Sequence, residues 1–143
     1  MAIEPVYSIS SKATGGGRDG EVVSASGHID LDLRPPKELG GNGEGTNPEE
    51  LFSAGYAACF LSALRATAKQ AGASVPDAAT VNVTVGIGKD PADGGFGLTV
   101  AIEVSLPGLE EAKAKELADV AYAFCPYSKA TKGNIDSEVT VTV

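Results

Sequence analysis

Metal-ligating residues are scarce in this chain of 143 residues, which has one histidine, His28, and two cysteines, Cys59 and Cys125. No Cys-x-x-Cys, His-x-x-x-His or His-Glu-x-x-His spacing occurs, so a zinc site lacks ligands and no metal is expected. With a single histidine and no serine in a Gly-x-Ser-x-Gly setting, Ser-His-Asp hydrolysis has no support. The glycine-rich run Gly40-Gly41-Asn42-Gly43-Glu44-Gly45 lacks the Lys-Ser/Thr of a phosphate loop and follows no clear strand, so it reads as a flexible loop.

Basic residues are also outnumbered, 11 Lys and Arg against 19 Asp and Glu, for a net charge of −8. Nucleic-acid affinity comes largely from Lys and Arg neutralising phosphates, so no nucleic-acid partner is expected. An anionic membrane surface is disfavoured on the same grounds. The longest uncharged stretch, Leu51 to Leu64, is 14 residues, too short to span a bilayer and suited to a core helix. The N-terminus has no basic run followed by an apolar segment, so no signal peptide is expected. A cytoplasmic setting follows, where thiols stay reduced. The length fits one domain, residues 1–143, with the composition of an ordinary soluble protein. Small molecules, or a second copy of the chain, are the partners this composition favours.

The pattern of apolar residues predicts the order βββ-α-ββ-α-β. Residues 5–13 alternate loosely and favour a strand; Thr14 to Gly20 is a turn with four glycines. Glu21 to Ser26 and His28 to Leu33 read as strands broken at Gly27. Asn47-Pro48-Glu49-Glu50 carries helix-start signals: a capping Asn, a Pro suited to the first turn and an acid three residues after the cap. The helix should run to about Ala71 and stop at Gly72. No face of it is charged from Leu51 to Leu64, which predicts burial all round, with a second subunit supplying part of the cover. Thr80 to Gly88 and Phe96 to Leu106 alternate as a hairpin, Leu109 to Phe124 is a second helix, and Ile135 to Val143 is a last strand. Strands kept mainly in hairpins indicate an α+β fold with antiparallel sheets.

The two cysteines stand 66 positions apart, and they can be a redox couple or two buried thiols. A reactive cysteine needs positive charge nearby. Cys59 lies too far from the cap for the helix dipole to help, and Arg65 points roughly 120° away around the helix. Arg18, on the glycine-rich turn, is a better candidate, although composition does not choose it over Arg34 or Lys37.

Four segments, Thr14-Gly15-Gly16-Gly17-Arg18-Asp19-Gly20, Pro36-Lys37-Glu38-Leu39-Gly40-Gly41, the run from Gly45 through Asn47-Pro48-Glu49 to Cys59-Phe60, and Cys125-Pro126-Tyr127-Ser128-Lys129-Ala130-Thr131-Lys132-Gly133-Asn134-Ile135, closely resemble the organic hydroperoxide resistance (Ohr) proteins of the OsmC/Ohr superfamily. The resemblance covers nearly the whole chain. It departs from the family pattern at Tyr122, where His is common, and at Lys132, where Arg is common.

The resemblance implies an intertwined homodimer, with antiparallel sheets around two central helices. It also implies a thiol peroxidase for alkyl or fatty-acid hydroperoxides. Cys59 becomes a sulfenic acid and Cys125 resolves it as a Cys59–Cys125 disulfide. Arg18 stabilises the thiolate, and Glu49 holds Arg18. No cofactor is bound; the co-substrate is a dithiol such as dihydrolipoamide, carried on a lipoylated protein. Leu51, Phe52, Tyr56, Phe60 and Phe124 are the apolar residues expected to line the substrate site. Glu49 and Cys59 are ten residues apart, about 15 Å of straight helix. Either the helix breaks near Gly55, or Arg18 and Glu49 reach Cys59 through a bend or from a partner chain. A redox-sensing or ligand-binding module without turnover is the competing expectation.

Overall fold

Alternating residues and glycine turns build two three-stranded sheets, one in each of the two units into which the chain sorts, residues up to Leu51 and residues from Phe52. The computed structural model describes residues 2–143. With two helices longer than ten residues beside these sheets, the class is α+β, as the pattern predicts.

In the first unit, β1 (Ser11–Gly15), β2 (Gly20–Ser24) and β3 (Asp30–Leu33) form an antiparallel sheet in that order. The β1–β2 turn needs its glycines: Gly15 and Gly17 have φ of 70° and 76°, and a Cβ on Gly20 would collide with the Thr14 carbonyl. Arg18 is thereby fixed on the turn. The strand expected over residues 5–13 starts only at Ser11, because the register pairs Ser11 with Ser24, where β2 ends. Beyond that point the residues before Ser11 have no strand opposite them, and Val6 and Tyr7 are exposed. His28 lies in the turn after β2 rather than in a strand, and its backbone N–H donates to Ser26 Oγ.

Helix α1 (Pro48–Gln70) begins as the sequence predicts. The Glu50 N–H donates to Asn47 Oδ1 at 2.9 Å, satisfying one of the first-turn donors. At its other end Gly72 takes φ 72° and the Ala73 N–H donates to the Ala68 carbonyl at 2.8 Å, closing a Schellman turn. The helix is unbroken, so the break considered near Gly55 does not occur.

A single chain supplies only part of the cover expected for α1. Tyr56, Phe60, Ala63, Leu64, Thr67 and Ala68 are buried along one side, while Ala54, Ala58, Ser62 and Ala66, each four residues after the last, are exposed. The helix, with 23 residues, is long and apolar enough to cross a membrane by length and composition alone. Its large side chains Tyr56, Phe60 and Leu64 instead belong to the core of the second unit.

In the second unit, β4 (Thr80–Lys89) and β5 (Phe96–Ser105) form the expected antiparallel hairpin. Helix α2 (Glu111–Phe124) starts where the Glu110 carboxylate accepts the Ala112 N–H. A short helix, α3 (Pro126–Thr131), follows it and is absent from the predicted order of elements. Strand β6 (Ser137–Thr142) pairs with β5 in parallel, which departs from the all-antiparallel expectation. The reason is connectivity: α2 and α3 carry the chain back to the start of β5, and a crossover of that kind returns a strand in the same direction.

Ala114, Leu117, Ala118 and Ala121 form the inward face of α2. Val120 and Phe124, apolar residues of the same helix, are 47% and 50% exposed. Leu64 sits fully buried in the core made by α1, α2 and the β4–β5–β6 sheet. Leu64→Ala is expected to cost about 2–5 kcal/mol, read as a lower midpoint in denaturant unfolding at unchanged slope. A midpoint that stays in place would show that this core is not packed as described.

Candidate functional site

Cys59 projects from the middle of α1 and is partly exposed; Cys125 is buried at the joint between α2 and α3. The joint is written in the pair Cys125-Pro126. A residue before proline is pushed out of the helical region, and Cys125 is extended, with φ −58° and ψ 124°. Proline then opens α3 at a position where no donor is needed. The backbone of Cys125 is tied on both sides: its N–H donates to the Ala121 carbonyl at 2.8 Å, and its carbonyl accepts the Lys129 N–H at 2.9 Å.

This places the two sulfurs 3.6 Å apart, as free thiols. A disulfide needs about 2.05 Å between them, so the remaining approach is small. Aromatic rings surround the joint. Tyr127 stacks on Phe52, with ring centres 6.1 Å apart and 18° between planes, and leans on Tyr56 at 5.7 Å. The Tyr56 hydroxyl donates to Ser128 Oγ at 2.9 Å, and both residues are buried.

A cavity of about 230 Å³ opens on Cys59, lined also by Ser62, Ala63, Ala66, Phe124 and Pro126. Cys125 is not in its lining. A molecule entering this cavity therefore meets the Cys59 sulfur among mostly apolar walls. Burial pushes the Cys59 thiol up; the Tyr127 backbone N–H opposes this, and the neighbouring Cys125 adds to the rise. No cationic side chain is among the groups that set it.

Arg18 and Glu49 form a two-pronged pair within the first unit. Arg18 Nη1 donates to Glu49 Oε2 at 2.9 Å and Nη2 donates to Oε1 at 2.7 Å. Planar guanidinium and carboxylate match in this way, which fixes orientation as well as distance. The Arg18 hydrogen bond holds the Glu49 carboxyl below its ordinary range, against the opposite pull of burial, and the pairing raises Arg18. The first turn of α1 also favours a carboxylate at Glu49.

The competing cations are otherwise engaged. Arg34 donates to the Leu33 and Gly20 carbonyls and lies 3.5 Å from Asp19. Arg65 donates to the Val75 and Pro76 carbonyls, fastening the chain that follows α1.

Of the five apolar residues expected to line the site, Phe124 lines the cavity. Tyr56 and Phe60 are fully buried in the core, Phe52 is half-buried against Tyr127, and Leu51 is half-buried in the first unit. Sequence reasoning missed Ser62, Ala63, Ala66 and Pro126. The first three stand three, four and seven positions after Cys59, so helical spacing alone could have found them. Among the described residues no group of three or more His, Cys, Asp or Glu could hold a metal ion.

Residues 41–140 match the OsmC-like protein family. The chain is 46% identical over 137 residues, 95% of its length and 94% of the other's, to the organic hydroperoxide resistance protein of Xanthomonas axonopodis pv. citri. A crystal structure of an organic hydroperoxide resistance protein OsmC from Legionella pneumophila is 42% identical, with a TM-score of 0.92 over 98% of this chain and 100% of that one. A structure from Vibrio cholerae, described as an organic hydroperoxide resistance protein with captopril bound in one of the active sites, is also 42% identical. Its TM-score is 0.90 over 99% of this chain and 95% of that one.

Proposed function

The chain belongs to the organic hydroperoxide resistance proteins of the OsmC-like family, and from that premise we propose that it reduces organic hydroperoxides with Cys59 and Cys125. The observation that carries this reading is the 3.6 Å separation of two free sulfurs, one facing a cavity and the other behind it. The Cys59 thiolate attacks one peroxide oxygen. The O–O bond breaks, the departing alkoxide takes a proton to become an alcohol, and Cys59 is left as a sulfenic acid. The Cys125 thiol then condenses with it, releasing water and forming the disulfide. A dithiol reductant of the lipoyl type, free or on a carrier protein, returns both thiols by two exchange steps and is itself oxidised to a disulfide.

Burial supports this order of the two cysteines: Cys59 lines the cavity, while Cys125 is buried outside its lining. The apolar walls given by Ala63, Ala66, Phe124 and Pro126 suit an alkyl chain better than hydrogen peroxide. Arg18 lowers the Cys59 thiol and orients the peroxide, and Glu49 aims Arg18. Ten residues of unbroken helix, about 15 Å, separate Glu49 from Cys59. The pair that serves Cys59 therefore comes from a second copy. A homodimer is supported by the exposed stripe Ala54, Ala58, Ser62 and Ala66 and by exposed Val120 and Phe124, which a second chain would cover.

Cumene hydroperoxide consumption with dihydrolipoamide as sole electron donor tests the reading. Many turnovers per chain are expected, and Cys125→Ser is expected to complete one turnover and then slow sharply. Consumption that stops at one equivalent in the unaltered protein removes the enzyme reading in favour of a sensor.

A further inference from the structure

We propose that Gly55, Tyr127 and Ser128 are positioning residues that hold α3 against α1 and so set how fast Cys125 resolves an oxidised Cys59; this rests on the peroxidase reading above. Gly55 lies one turn before Cys59 on α1, and Tyr127 lies two residues after Cys125. A Cβ on Gly55 would sit 3.1 Å from the Tyr127 hydroxyl oxygen and 3.3 Å from its Cε2, so the ring closes on bare helix backbone. Gly55 is not among the positive-φ glycines, so no backbone conformation requires it. Glycine weakens a helix interior relative to alanine, and the close approach of Tyr127 is what it gains. One residue further on, the buried Tyr56–Ser128 hydrogen bond at 2.9 Å joins the same two helices.

These contacts matter because a Cys59 sulfenic acid has two fates. Condensation with the Cys125 thiol forms the S–S bond and releases water. Attack on a second hydroperoxide gives a sulfinic acid and another alcohol, and that product is not returned by thiols. The sulfurs stand 3.6 Å apart and must close to about 2.05 Å. A shift of α3 by a few tenths of an ångström changes that approach directly. It leaves the first attack alone, since that depends on the cavity side of Cys59.

The test oxidises reduced wild type, Gly55→Ala and Gly55→Ala/Tyr127→Phe with excess cumene hydroperoxide, then measures sulfinic acid and disulfide at Cys59 by peptide mass spectrometry. The expected result is a ratio of sulfinic acid to disulfide about fivefold higher in Gly55→Ala, equivalent to the loss of one ordinary hydrogen bond. The rate of the first oxidation should stay within about twofold. Removing the Tyr127 hydroxyl, the atom nearest the new methyl group, should restore most of the ratio in the double variant. An unchanged ratio in Gly55→Ala overturns the proposal, and so does a raised ratio that Tyr127→Phe fails to lower. Should Gly55→Ala not fold, Ser128→Ala must raise the same ratio for the proposal to stand. Diamide closes the disulfide without any peroxidase step. Slower closure by diamide in Gly55→Ala, in a protein inert to hydroperoxide, would uphold the positioning role and remove the peroxidase reading.

Discussion

Cys59→Ser is expected to lose hydroperoxide reduction altogether, by about 10³-fold or more, down to the rate of dihydrolipoamide alone. The substitution keeps the shape of the side chain and replaces a partly exposed group, so the core of Tyr56, Phe60 and Leu64 should be untouched. What changes is the nucleophile. A thiol supplies a thiolate near neutral pH, whereas a serine hydroxyl stays protonated without a partnered base. Cys125 cannot stand in, because it is buried and outside the cavity lining. Circular dichroism should show an unchanged fold, and the coupled assay should show no turnover. Substantial activity in a folded Cys59→Ser protein would move the chemistry elsewhere.

Arg18→Ala is expected to have the next largest effect, through the charge state of Cys59. Within one chain, burial pushes this thiol up and no cation opposes it. An opposite charge within about 4–6 Å lowers an acid by about 1–3 pH units. Loss of Arg18 should therefore shift the pH profile of Cys59 alkylation upward by that amount, and cut the rate at neutral pH about 10- to 10³-fold. The deficit should shrink as pH rises, because alkali restores the thiolate without help.

Glu49→Gln should move the profile the same way by less, since it removes the group that aims Arg18 rather than the charge itself. The sign for Glu49 is the reverse of that for a base. Its carboxyl is held low by Arg18, so the pair persists above its ordinary range and is lost as pH falls through the depressed value. An Arg18→Ala profile that overlays the wild type would leave the ion pair as a fastening of the β1–β2 turn to the start of α1.

Much of this arrangement is legible in the sequence. The start of α1 was written in Asn47-Pro48-Glu49-Glu50, because capping is local and depends on residue types within one turn. The hairpin of β4 and β5 was visible in strict alternation, which encodes one buried face. What failed was non-local. Alternation in Ser137–Thr142 says that a strand exists but not which neighbour it joins or in which direction, so the parallel pairing with β5 went unseen. The six residues of α3 are too few for a helical period to show.

The uncharged run in α1 shows a different limit of the sequence. Apolarity says that a helix shuns water, not what covers it, and this chain covers only the side bearing Tyr56, Phe60 and Leu64. The site showed the same division. Arg18 and Glu49 could be named, and the structure joins them. The cavity walls at Ser62, Ala63 and Ala66 are small side chains, which carry no sequence signal of their own that marks a lining residue. Phe60 and Tyr56 are fully buried in the core.

The central claim is that Cys59 and Cys125 of one chain form a bond in response to hydroperoxide. Intact-mass and peptide mass spectrometry of the reduced protein, after one equivalent of cumene hydroperoxide, measures this directly. The predicted result is loss of two hydrogen masses per chain, with a single cross-linked peptide pair joining Cys59 to Cys125 within that chain. Unmodified thiols, or a bond formed only between chains, would contradict it.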